Sequence, residues 1–168
     1  MLRSLITLLI SNYFLTLYLV GFIVAGIALA LKPKPLAKGA VVEALFSNYL
    51  LFPIGLSYLL NFVFHVFFGE MAAKFIGWED SPFQFEVGTA SLGFALVGLL
   101  AWKGGYGLRT GAVVGPAMFM LGAAGGHIYQ MIAAHNFAPG NVGPALWMDI
   151  VTPLTGFLLL WLARPKAA

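Results

Sequence analysis

Four side chains carry most of the chemistry this sequence could do: His65, Glu86, His127 and Asp149. Two imidazoles and two carboxylates form a ligand set suited to zinc, iron or manganese, and the same groups are the usual parts of proton relays inside membranes. His127 stands in the stretch GAAGGHIYQMIAAHN, eight residues before His135, with Gln130 on its own helical face. Glu70 is an additional candidate ligand, while Glu79 and Asp80 read as a solvated rim. A third chemistry is bis-histidine haem, with His65 and His127 as axial ligands and the glycines before His127 admitting the macrocycle. It ranks below a divalent metal because carboxylates beside a haem fit poorly. No HExxH, ExxH, nucleophile elbow, phosphate loop or nucleotide fingerprint is present. Whether the chain is an enzyme therefore rests on the cluster alone and is left open. The absence of cysteine excludes disulfides, thiolate metal sites and cysteine nucleophiles.

The elements that must position these groups are membrane helices. Of 168 residues, 61% are hydrophobic and 9% charged, far from the balance of a soluble domain. The net charge of +3 forms no run, which argues against a nucleic-acid partner. Five apolar segments emerge, at about 5–31, 41–68, 82–102, 108–134 and 144–163. Each is long enough to cross about 30 Å of hydrocarbon, and continuous apolar runs indicate helices and not a barrel. The fold class is thus all-α, a five-helix transmembrane bundle forming a single domain over residues 1–168. None of the five is weak enough to demote. The first resembles a secretion signal but is too long for one and reads as an uncleaved helix.

Lysine and arginine orient the bundle. One side carries Lys32, Lys34, Lys38, Lys103, Arg109, Arg164 and Lys166; the other carries Arg3 and Lys74. The positive-inside rule then puts the N-terminus outside the plasma (inner) membrane and the C-terminus in the cytoplasm. A short interfacial helix is expected near 70–78, and Ser81-Pro82-Phe83-Gln84 reads as a capped helix start.

On this topology Ser57, Asn61 and His65 form a stripe on the second segment, Glu86 and Thr89 share a face of the third, and Asp149 lies beside Thr152 on the fifth. His65, Glu86, His127 and Asp149 all fall in the outer half. At about 1.5 Å of rise per residue, they lie within one or two turns of similar depth. The expectation is an outward-facing polar cavity that binds a divalent metal or small ligand. The alternatives are a structural or partner-binding subunit and a proton- or ion-coupled transporter. The transport reading lacks polar groups in the inner half, where Glu43 is expected to meet the loop lysines. The glycines of the fourth segment, from Gly111 to Gly126, with Gly88 and Gly93 of the third, mark these two as the central helices. The first segment reads as a lipid-facing span. Trp78, Trp102, Trp147 and Trp161 read as interface anchors, and His135 and Asn136 as solvated or loop-fixing. The bilayer is the expected partner, with a homo-oligomer or membrane complex as a further one.

Two stretches, SPFQFEVGTASLGFA (Ser81–Ala95) and GHIYQMIAAHNFAPGNVG (Gly126–Gly143), resemble a family of small prokaryotic integral membrane proteins of unknown function. The resemblance implies a membrane protein and draws attention to Glu86, His127 and Gln130, but implies no reaction or ligand. The five-helix size is also similar to that of the porphyrin-binding tryptophan-rich sensory proteins, whose long Trp/Pro-rich motifs are absent.

Overall fold

A computed structural model describes residues 2–165, so Lys166 of the orienting set lies outside the described residues. Among the described residues nine α-helices follow one another: α1 (Leu2–Ser11), α2 (Tyr13–Ala30), α3 (Ala40–Tyr49), α4 (Ser57–Phe67), α5 (Gly69–Ile76), α6 (Phe83–Ala101), α7 (Tyr106–Ala133), α8 (Pro139–Val142) and α9 (Pro144–Ala163). A π-helical segment, Leu50–Leu56, joins α3 to α4 without a break, so Ala40–Phe67 is one span. No strand occurs among the described residues. Among the described residues five helices are long and apolar enough to cross a membrane: Tyr13–Ala30, Ala40–Phe67, Phe83–Ala101, Tyr106–Ala133 and Pro139–Ala163.

The first expected span is shorter than its apolar run. Asn12 (φ −120°, ψ 40°) breaks the helix, and its side-chain amide donates to Leu8 O at 2.9 Å. Thr16 Oγ1 donates to Leu9 O across the break and so satisfies that carbonyl. The span proper begins at Tyr13. The start of α6 also departs from expectation: Pro82 and not Ser81 occupies the N-cap position with no side-chain cap, and the Gln84 side chain meets His65.

Three spans each bury a proline, Pro53, Pro116 and Pro153. Proline cannot donate to the helical ladder, so each frees a carbonyl one turn back. Around Pro53 the chain widens to π geometry, and Ser57 Oγ donates to Phe52 O at 3.2 Å. At the other two, tyrosines pin nearby carbonyls: Tyr58 Oη donates to Pro116 O, and Tyr49 Oη to Thr152 O.

The core gathers Phe46, Tyr49, Leu50, Ile54 and Tyr58 of the second span against Ala95, Val113, Met120 and Leu159. The second span, which touches every other span, is the central one. This corrects the expectation that α6 and α7 hold the middle. Gly98 of α6 lies so close to the π segment that a Cβ would stand 2.8 Å from Gly55 N, and one on Gly88 would stand 2.5 Å from Val66 Cγ2. By contrast Gly93, Gly111, Gly122 and Gly125 have no described atom within 4 Å of a would-be Cβ. Those glycines do not enclose a site; they lie on an outer face of the bundle. The first span is mostly half-buried, with Gly21 and Ala25 its only buried residues, and Tyr13 and Tyr18 reach inward: Tyr13 Oη donates to Asn61 Oδ1 and Tyr18 Oη pairs with Thr155 Oγ1.

Candidate functional site

Helix α7 brings His127 to the end of the bundle that also holds α5 and α8, buried at 6% exposure. Asn141 of α8, fully buried, organises everything around it. Its Nδ2 donates to His127 O at 3.1 Å and Asn136 O at 2.9 Å, which fixes the orientation of the amide. Its Oδ1 then accepts from Trp78 Nε1 at 2.9 Å and faces His127 Nδ1 at 2.8 Å. An amide oxygen cannot donate, so the network assigns the proton to Nδ1. In the neutral ring the lone pair is on Nε2, which faces Asp149 Oδ2 across 3.6 Å. That distance is an ion-pair separation, too long for a hydrogen bond. Either atom can take up a proton, the imidazole at Nε2 or the carboxylate at Oδ2. Trp78 lies beside the ring, its centroid 5.2 Å from that of His127.

His65 and Glu86 are not part of this pair. Gln84 and Glu86 are two residues apart on α6, about 200° around the helix. Gln84 therefore meets His65 Nδ1 while Glu86 lies on the exposed face with Thr89, whose hydroxyl bonds the Glu86 carbonyl. The stripe Ser57, Asn61 and His65 likewise divides: Asn61 Nδ2 donates to Ser91 Oγ at 2.7 Å, and Ser57 turns to its own backbone. Gln130 is half-buried and Glu70 exposed, and neither side chain has a hydrogen bond among the described residues. Among the described residues no three His, Asp or Glu side chains converge as a metal site would require. A haem on His127 Nε2 would have to displace Asp149. A groove of about 470 Å³ opens at the same end between α1 and the α8–α9 turn. Ser4, Thr7, Ser11, Asn12, Phe75 and Pro144 line it, and none of the predicted ligands does.

Three functional residues escape a sequence reading. Asn141, in a loop rich in turn residues, gives no periodic signal of burial. Trp78 reads as an anchor yet donates into the site; Trp102 and Trp161 sit against Lys103 and Arg164, and Trp147 is exposed. Asn136 does fix the loop, donating to Ile76 O and Gly77 O. Arg109 counts only as an orienting charge in the sequence. In the fold it is buried at the opposite end, bidentate to Glu43 at 2.7 Å and bonded to Ser47 and two carbonyls of the α6 terminus. Glu43 thus pairs directly with Arg109, and of the loop lysines Lys32 acts on it from a longer distance.

The molecule is a helical bundle built to span a membrane, with a buried His–Asp pair near one end. A family model for DUF6790, described as a family of unknown function, matches residues 11–168, and the chain belongs to that family. No curated protein and no solved structure matches it.

Proposed function

We propose that this is an integral membrane protein of a prokaryotic plasma membrane that exchanges protons with the outer side through His127 and Asp149. The charge asymmetry of the loops supports an N-terminus outside and a C-terminus in the cytoplasm, with α5 and α8 at the outer surface. The observation that carries the reading is the locked ring: Asn141 and Trp78 hold His127 so that only Nε2 is free, and it faces a carboxylate. An ionisable pair costs too much inside a bundle to be incidental packing when neutral side chains would pack as well. The test is the side-chain nitrogen NMR titration of His127 in detergent-solubilised protein. Asp149→Asn displaces its midpoint and leaves that of His65 in place; an unchanged His127 titration removes the reading.

A divalent transition metal is the second reading, favoured by the free Nε2 facing Oδ2. These are only two protein ligands, with Glu86 and His65 turned elsewhere, so affinity should be weak. Stoichiometric zinc shifts the His127 Nε2 resonance in the wild type and not in Asp149→Asn if this holds. A resonance that zinc leaves in place rejects it.

A further inference from the structure

Hydroxyl groups of α2, α3 and α9 continue inward from Asp149. On α9, Asp149, Thr152 and Thr155 follow at three-residue steps, about 5–6 Å between successive Cβ atoms. Thr152 is buried at 1% exposure, and its Oγ1 has no hydrogen-bond partner among the described residues. The contrast with its neighbours is sharp. Ser91, Thr110 and Thr155 each bond the carbonyl one turn back, the usual way to satisfy a hydroxyl in a membrane helix. Thr152 alone among these forgoes that bond, although a buried unpaired hydroxyl is costly.

The groups around it are also hydroxylic. Tyr49 Oη, itself buried, donates to Thr152 O at 3.0 Å, and Tyr18 Oη is 2.8 Å from Thr155 Oγ1. Pro153 supplies no N–H to the Asp149 carbonyl, which leaves an acceptor at the same turn. Two residues before Tyr49 on α3, Ser47 donates at 2.8 Å to Glu43, which lies one turn further and where Arg109 closes the end. Glu43 is 58% exposed and meets solvent. The inner half, which lacks ionisable groups above Glu43, is therefore not without hydrogen-bonding groups.

We infer that the junction of α2, α3 and α9 is a proton path between the Asp149 carboxyl and the Glu43 carboxylate, with the Thr152 hydroxyl as its central relay. The path rests on the reading of Asp149 as a group that exchanges protons with the outer side. Each hydroxyl accepts one proton on oxygen and releases its own to the next, with water as the intermediate carrier where a gap exceeds hydrogen-bond reach. Only O–H bonds form and break, one proton crosses per passage, and nothing is oxidised or reduced. His127 faces the outer end of the path and Arg109 the inner.

The full chain reconstituted in liposomes with an internal pH dye, under a potassium diffusion potential, tests the path. Wild-type vesicles carry protons faster than protein-free vesicles. Thr152→Val, which removes no bond the structure contains, lowers that flux at least tenfold while leaving thermal stability unchanged. Tyr49→Phe lowers it as well, and Thr110→Val on α7 does not. Wild-type flux equal to that of protein-free vesicles overturns the path, as does a Thr152→Val variant that conducts like wild type. If flux is absent while Asp149→Asn still displaces the His127 titration, the outer site stands and the path alone fails.

Discussion

At Asn141 one amide serves an imidazole, an indole and two carbonyls, so replacing it leaves several buried polar groups without partners. Each such group costs about 1–3 kcal/mol. Asn141→Leu should lower stability by about 3 kcal/mol or more, measured by chemical unfolding in detergent, and should free the His127 ring to flip. Gln130→Leu on the same helix is the control, because that side chain is half-buried with no hydrogen bond among the described residues; its effect should stay within about 0.5 kcal/mol. Arg109 and Glu43 make a second asymmetric case. Arg109 is buried and serves Glu43, Ser47 and the Ala101 and Trp102 carbonyls, whereas Glu43 is more than half exposed and can be hydrated. Arg109→Gln should therefore destabilise more than Glu43→Gln, for which about 1 kcal/mol or less is expected. Equal losses in the same unfolding measurement would contradict this account of the pair.

Element packing turns on which glycines touch a neighbour. Gly98 lets α6 approach the π segment at backbone distance, and the nearest atom to an added Cβ is the Gly55 nitrogen, which cannot swing aside. Gly98→Ala should cost about 1–3 kcal/mol through overpacking. Gly122 has nothing described within 4 Å, so Gly122→Ala should be neutral or add a few tenths of a kcal/mol through helix propensity. Thermal unfolding of the two variants side by side separates them, and a loss at Gly122 comparable to that at Gly98 would show that a partner covers this face. The proline sites follow the same logic. Tyr58→Phe and Tyr49→Phe each remove a donor to a carbonyl beside a buried proline without changing shape.

For the whole molecule the cysteine-free sequence makes orientation directly measurable. A single cysteine at Ala138, in the turn between α7 and α8, should react with a membrane-impermeant maleimide on intact cells. One at Lys103, in the α6–α7 turn, should react only after lysis. The reverse pattern would put the His127–Asp149 pair on the cytoplasmic side and remove its proposed outward access.

What was legible in the sequence was what local chemistry controls. Five apolar stretches, each of span length, needed helices because a bilayer offers no other partner for backbone groups, and the five spans stand where the pattern put them to within a few residues, the first excepted. Its boundary moved because Asn12 satisfies its own break, a detail that an apolar tally passes over. An expected depth for each of His65, Glu86, His127 and Asp149 was readable from rise per residue alone. Which of them meet was not. Depth fixes one coordinate, while contact depends on the rotation of each helix about its axis and on which neighbour lies alongside. A two-residue step on α6 sent Gln84 to His65 and Glu86 outward; α8, a single turn in a loop, supplied the Asn141 that aims His127 at Asp149. Those are decisions of tertiary packing, because each is made by an atom on another element.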